Sequence, residues 1–192
     1  AKARQDKQVN LTLKDAERLS DSLSQTMTKL VGIQEEIIDA LKKNSCDSQA
    51  ITNKKNNILV VEQENKELGF VGTPKEINLS IIEQIVKEKK VPVIAPLGLD
   101  KDNQVFNINA DTAAGAIAKK LNARRLIIMS DVEGVLDNDK KLISEINTNR
   151  INELIKDETI SGGMIPKINN CLDVASNGVK GVCIIDGRLN HS

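Results

Sequence analysis

The stretch FNINADTAAGAIAKKLNARRLIIMSD, residues 106–131, decides the fold. It opens on an extended polar segment, passes into a helix of very small residues near 111–122, and ends in an apolar strand over 125–131. Before it lies VPVIAPLGL (91–99), an unbroken apolar run of the kind that fills a buried strand. After it the pattern predicts a helix at 148–157, a helix at 165–177 and a strand in GVCIIDG, 181–187. Apolar strands alternating with helices predict βαβ units, hence an α/β fold with a mainly parallel sheet. In such sheets ligands gather beyond the carboxyl ends of the strands. Those ends read APLGLD, MSDVEGV and IDGR, each carrying Gly, Asp or both.

Further upstream, Leu19, Leu23, Met27 and Leu30 recur at helical spacing, and Ile33, Ile37, Ile38 and Leu41 continue the stripe. A helical region from Leu13 to Lys43 is expected, with Gly32 dividing it into two helices. Residues 44–57 read as polar loop, 58–62 and 69–72 as short strands, and 78–90 as a helix capped by Asn78. Residues 1–10 are polar and read as a frayed end.

Composition narrows the function classes. Lys plus Arg equals Asp plus Glu at 27 each, and the aromatics are two Phe with no Trp or Tyr. That balance argues against nucleic acid and membrane partners, and it lacks the stacking platforms of single-strand binders. Cys46, Cys171 and Cys183 are odd in number with no C-x-x-C spacing, and His191 is the single histidine. A disulfide framework, a zinc site or a Ser-His-Asp triad is therefore not expected, and a reducing compartment fits. Cys171 and Cys183 read as small buried hydrophobes. No apolar run reaches membrane-spanning length and no signal peptide opens the chain.

Three stretches carry chemistry. In NINADTAAG, alternation places Asn107 and Asn109 on one side, where their amides can orient a polar ligand, with Ile108 turned away. Asp111, taken alone, is a helix cap or first-turn carboxylate. In TISGGMIPK (159–167), the Ser161–Gly162–Gly163 turn feeds a helix N-terminus whose N–H groups suit an anion, and Lys167 adds a mobile cation. In MSDVEGVLD (129–137), Asp131 stands at a strand's carboxyl end, where ligand-facing acids are favoured. Glu133 and Asp137 read as solvated loop charge, and both Asp131 and Asp186 with Arg188 take a structural reading first. Singly none decides; together they form an inventory for phosphoryl transfer by positioning and charge neutralisation.

Six motifs then carry a resemblance: LGFVG (68–72), PVIAPLG (92–98), NINADTAAGAIA (107–118), SDVEGVL (130–136), ISGGMIPK (160–167) and IIDGR..H (184–191). In order and spacing the chain resembles the acetylglutamate kinase branch of the amino acid kinase family. The resemblance is dense from Leu68 to His191 and traceable back to Leu13. It implies a three-layer αβα sandwich and phosphorylation of the side-chain carboxylate of N-acetyl-L-glutamate, a step of arginine biosynthesis. MgATP enters as co-substrate, with no metal tightly held by the protein. By the same resemblance Asp111 organises the catalytic lysines, Lys167 stabilises the phosphoryl group in transit, and Asn107, with Asn109, binds substrate. Asp131, Ser161, Gly162 and Gly163 are nucleotide-side elements. Residues 1–123 are implied to be a partial substrate lobe and 124–192 a nucleotide lobe. The resemblance also implies a homo-oligomer, dimer or hexamer, with arginine or a PII-type protein as regulator, in cytoplasm or a plastid interior.

The departures are specific. Relatives carry a first strand with a catalytic lysine and glycines, a second glycine loop, and a last strand with a Gly-Thr turn, none of which this sequence contains. The loop AITNKKNN (50–57) puts Lys55 where an acid is usual and Asn where glycines are usual. Impaired turnover by these 192 residues alone is therefore expected. The alternatives are a non-catalytic arginine- or nucleotide-binding module with the same fold, or a family member with another substrate.

Overall fold

The computed structural model describes residues 13–52 and 57–190. The expected frayed end, Lys55 in its loop and His191 lie outside them. The chain divides into two compact units, Ala1–Asn109 and Ala110–Ser192, each of them α/β.

In the first unit, helix α1 (Leu13–Lys43) runs unbroken through Gly32, against the expectation of two helices. A mid-helix glycine costs only about 1 kcal/mol relative to alanine, too little to break a stripe that continues on both sides. Ile33 and Ile37 of that stripe stand exposed. The buried residue of this turn is instead Gln34, whose Nε2 donates to the Ile51 carbonyl at 3.0 Å and the Val93 carbonyl at 2.6 Å. These carbonyls belong to β1 (Ser48–Ile51) and β4 (Val91–Ile94), which pair in parallel. Strand β1 corrects the reading of 44–57 as loop. Its Ser and Gln give no alternating apolar signal, and the pairing comes from β4, 43 residues away in register (Ser48↔Val91).

A second sheet has the order β3 (Gly72–Ile77), β2 (Leu59–Gln63), β5 (Leu97–Leu99), β6 (Val105–Asn107). Strand β2 (Leu59–Gln63) falls where expected, whereas β3 (Gly72–Ile77) begins only where the expected 69–72 strand ends. Gly69, with φ +66°, instead closes a short 3₁₀ turn over Lys66–Leu68. Pro74 has no N–H to give, and β3 is an edge strand, where that omission is tolerated. The run 91–99 is two strands, not one: Ala95 and Pro96 separate β4 from β5 (Leu97–Leu99), and the chain passes from one sheet to the other. Strand β5 pairs in parallel with β2 and antiparallel with β6 (Val105–Asn107). Helix α2 (Ser80–Lys87) is shorter than the pattern and its cap position is Leu79, not the expected Asn78, which lies one residue earlier and accepts through Oδ1 from the Ser80 N–H at 3.1 Å and the Ser80 hydroxyl at 2.7 Å. Leu59, Val61, Ile82, Ile85, Phe106 and Ile108 are buried, and Phe70 meets Phe106 edge-on at 5.9 Å.

The second unit follows the sequence pattern closely. It comprises α3 (Ala110–Lys120), β7 (Leu126–Ser130), α4 (Thr148–Lys156), α5 (Met164–Ser176) and β8 (Val182–Asp186). Strands β7 and β8 pair in parallel, Leu126 opposite Val182 and Ser130 opposite Asp186. Ala118, Leu126, Ile128, Val174 and Val179 form one core cluster. Val135, Ile151, Leu154, Ile160 and Ile168 form another. Asn147 caps α4 by accepting from the Arg150 N–H at 2.9 Å. One expectation fails: Cys183 is exposed, because alternation turns it away from the face that buries Ile128. Cys171, by contrast, packs against the first cluster.

Candidate active site

Helix α3 starts at Ala110, so Asp111 lies in its first turn, as a capping carboxylate would. Its side chain turns instead toward α5, where Asp111 Oδ2 accepts from Lys167 Nζ at 2.6 Å. The partners are 56 residues apart in sequence, and their side chains are only 26% and 19% exposed. Holding an ion pair largely out of water gains little net stability once desolvation is counted. An ammonium has three donors, and Asp111 engages one.

Lys167 is the fourth residue of α5, and the turn before that helix is built as its glycines suggest. Gly162 adopts φ +55°, in the region that favours glycine, and Gly163 stands at the cap position without a side-chain acceptor. The Met164 N–H bonds to the Ser161 carbonyl and the Ile165 N–H to the Gly162 carbonyl, both at 3.3 Å. A Cβ on Gly162 or Gly163 would meet nothing within 4 Å. Bare backbone at a helix N-terminus, beside a lysine fixed by a carboxylate, can receive an anionic oxygen.

At the carboxyl ends of β7 and β8 a different group forms. Asp131 is exposed just past β7, and its charge, with that of Glu133, bears on Arg188. Arg188 grips buried Asp186, Nε to Oδ1 at 2.9 Å and a terminal guanidinium nitrogen to Oδ2 at 2.7 Å. Those hydrogen bonds, with the Arg188 backbone N–H on Oδ1 at 3.0 Å, bring the Asp186 carboxyl down to about 2. Both carboxylate oxygens of Asp186 are thus engaged by Arg188. Cys171 lies near the Asp111–Lys167 pair; burial, reinforced by the Asp111 charge and opposed by Lys167, pushes its thiol up to about 11.

The structure therefore brings Asp111, Lys167 and the 161–163 turn onto two packed helices. In the first unit, Asn107 ends β6, its N–H on the Phe70 carbonyl at 2.9 Å, and Asn109 is exposed beyond buried Ile108. Sequence reasoning missed Asn170, whose Nδ2 donates to the Asp111 carbonyl at 2.8 Å. The available signal was its spacing of three from Lys167, on the same helix face. Among the described residues no three His, Cys, Asp or Glu side chains group closely enough to hold a metal ion.

Residues 2–186 match the model of the amino acid kinase family. The chain belongs to that family. Over 172 residues it is 63% identical to an acetylglutamate kinase of Pelagibacter ubique, covering 90% of this chain and 60% of that protein. It is 39% identical over 160 residues to an acetylglutamate kinase of Ruegeria pomeroyi, covering 83% and 56%. Among solved structures, smu.665 from Streptococcus mutans superposes with a TM-score of 0.77 at 32% identity, over 85% of this chain and 66% of that one. N-acetylglutamate synthase from Neisseria gonorrhoeae gives 0.79 at 18% identity, over 90% and 40%, a likeness of fold. This family member thus spans about 60% of the length of its Pelagibacter relative. None of its described helices is long and apolar enough to cross a membrane.

Proposed function

We propose that this amino acid kinase transfers the γ-phosphoryl group of MgATP to the side-chain carboxylate of N-acetyl-L-glutamate. The observation that carries the reading is the Asp111–Lys167 pair beside an open glycine turn. The 63% identity to an acetylglutamate kinase supports the choice of acceptor. Phosphoryl transfer asks a protein for position and positive charge more than for covalent chemistry. Lys167 neutralises charge on the moving group, Asp111 aims the ammonium, and the N–H groups around Ser161–Gly163 hold phosphate oxygens. Asp131 contacts the nucleotide; Asn107 and Asn109 bind the acetylated amino acid. Residues 1–123 then serve the substrate and 124–192 the nucleotide. Magnesium arrives with ATP, held chiefly by phosphate oxygens. An oligomer, dimer or arginine-regulated hexamer, and a cytoplasmic or plastid setting accompany this reading.

The test is ADP release by the full-length gene product with N-acetyl-L-glutamate, glutamate, aspartate and UMP as acceptors. Turnover confined to N-acetyl-L-glutamate supports the proposal, and preference for another acceptor replaces the substrate. ATP or arginine binding by calorimetry without turnover on any acceptor replaces the kinase by a binding module.

A further inference from the structure

Helices α3 and α5 meet at three rungs. Asp111 pairs with Lys167, Gly115 faces Asn170 and Val174, and Lys119 pairs with Asp173. Positions rise together along both helices, so the two run parallel. Two of the rungs are ion pairs between long or mobile side chains, which can keep their contact while the helices slide. The Asn170 rung differs because it grips backbone: Nδ2 donates to the Asp111 carbonyl at 2.8 Å, from a partly buried position. It can do so because residue 115 is glycine. A Cβ there would stand 2.7 Å from Asn170 Oδ1, 3.2 Å from Nδ2 and 2.8 Å from Val174 Cγ2. Lys167 and Asn170 are three apart on one helix face, Asp111 and Gly115 four apart on the other. The residue that fixes the first turn of α3 is thus one turn from the lysine that Asp111 must aim.

We propose that Asn170 is a positioning residue: it sets the height of α3 against α5 and so the geometry of the Asp111–Lys167 pair. This rests on the kinase reading for its effect on rate, but not for its effect on the pair. A displacement of the lysine by a fraction of an ångström leaves substrate binding nearly intact and slows transfer, since the charge is needed where the phosphoryl group passes.

The test uses the full-length protein, two variants and two readouts. Asn170→Leu keeps the number and branching of the side-chain heavy atoms and removes the donor, and Gly115→Ala pushes the amide off the carbonyl while leaving Asn170 in the sequence. For each, kcat and KM for both substrates are measured beside the Lys167 Nζ resonance in lysine-labelled protein. Both variants are expected to lower kcat about tenfold with KM within about twofold. Both should also shift or broaden the Lys167 signal as the ammonium, still paired, is displaced along with α3. In the folded variants, an unchanged Lys167 signal or an unchanged kcat overturns the inference. If the wild type phosphorylates no acetylglutamate while the Lys167 signal still responds, the positioning of the pair stands and the proposed reaction falls.

Discussion

Gly98 in β5 and Gly115 in α3 both refuse a methyl group, but against different neighbours. At Gly98 an added Cβ would lie 2.4 Å from Val61 Cγ1 and 2.7 Å from the Leu59 carbonyl oxygen, so part of the obstacle is the backbone of β2. At Gly115 the obstacles are the Asn170 and Val174 side chains. The first unit uses glycine to let strands approach, which serves the sheet alone. The second uses it to let a polar side chain reach a helix backbone beside the ion pair. The two glycines therefore guard different things, strand spacing at Gly98 and a side-chain-to-backbone contact at Gly115, and substitutions can separate them.

The largest expected effect is on rate: Lys167→Met lowers kcat roughly a hundredfold or more, the loss of one charge-stabilising donor. Its melting temperature should fall, since the part-buried Asp111 carboxylate loses its cation, and a second change, Asp111→Asn, should restore melting but not rate; recovery of both would mean the pair is chiefly structural. Next, Gly98→Ala is expected to destabilise by about 3 kcal/mol, because a strand carbonyl cannot step aside. Urea unfolding that finds it as mild as a surface change would erase the contrast with the second unit. Gln34→Leu follows, at about 1–3 kcal/mol, since it removes the donor shared by the Ile51 and Val93 carbonyls. The same unfolding measurement checks it, with kcat expected to hold.

The smallest effect concerns pH. The Asp186 carboxyl is lowered from 3.8 to about 2 by Arg188. A depressed carboxylate stabilises the fold fully above the unfolded value and loses that contribution as pH falls through the folded one. The gap in melting temperature between wild type and Asp186→Asn should thus be widest above about pH 4 and close toward pH 2. A gap that is constant with pH would show that the carboxylate's charge is not what Arg188 holds.

The contrast between units also sets how much the sequence disclosed. In the second unit each strand and helix lies within a residue or two of its expected bounds, because parallel strands with local crossover helices write their pattern continuously. In the first unit two errors share a cause, partners outside the window: strand β1 is recruited by β4, and Pro96 sends one apolar run into two sheets. Helix α1 continues across Gly32 because a single glycine costs too little to stop it. Site residues divide similarly. Asp111 and Lys167 were named by motif, and their 2.6 Å contact follows from the fold. Asn170 showed only its spacing of three from Lys167, and its reach to the Asp111 carbonyl depends on the glycine opposite.

Cys171, one helical turn beyond Lys167, has a consequence of its own. Its thiol is held at about 11 by burial and the Asp111 charge, while Lys167 opposes both. The thiol is thus sensitive to the charges of the pair. Asp111→Asn should move the pH profile of its alkylation down, and Lys167→Met should move it up. An anion arriving beside Lys167 should push the profile up as well, so that nucleotide occupancy could be followed in a protein performing no turnover at all.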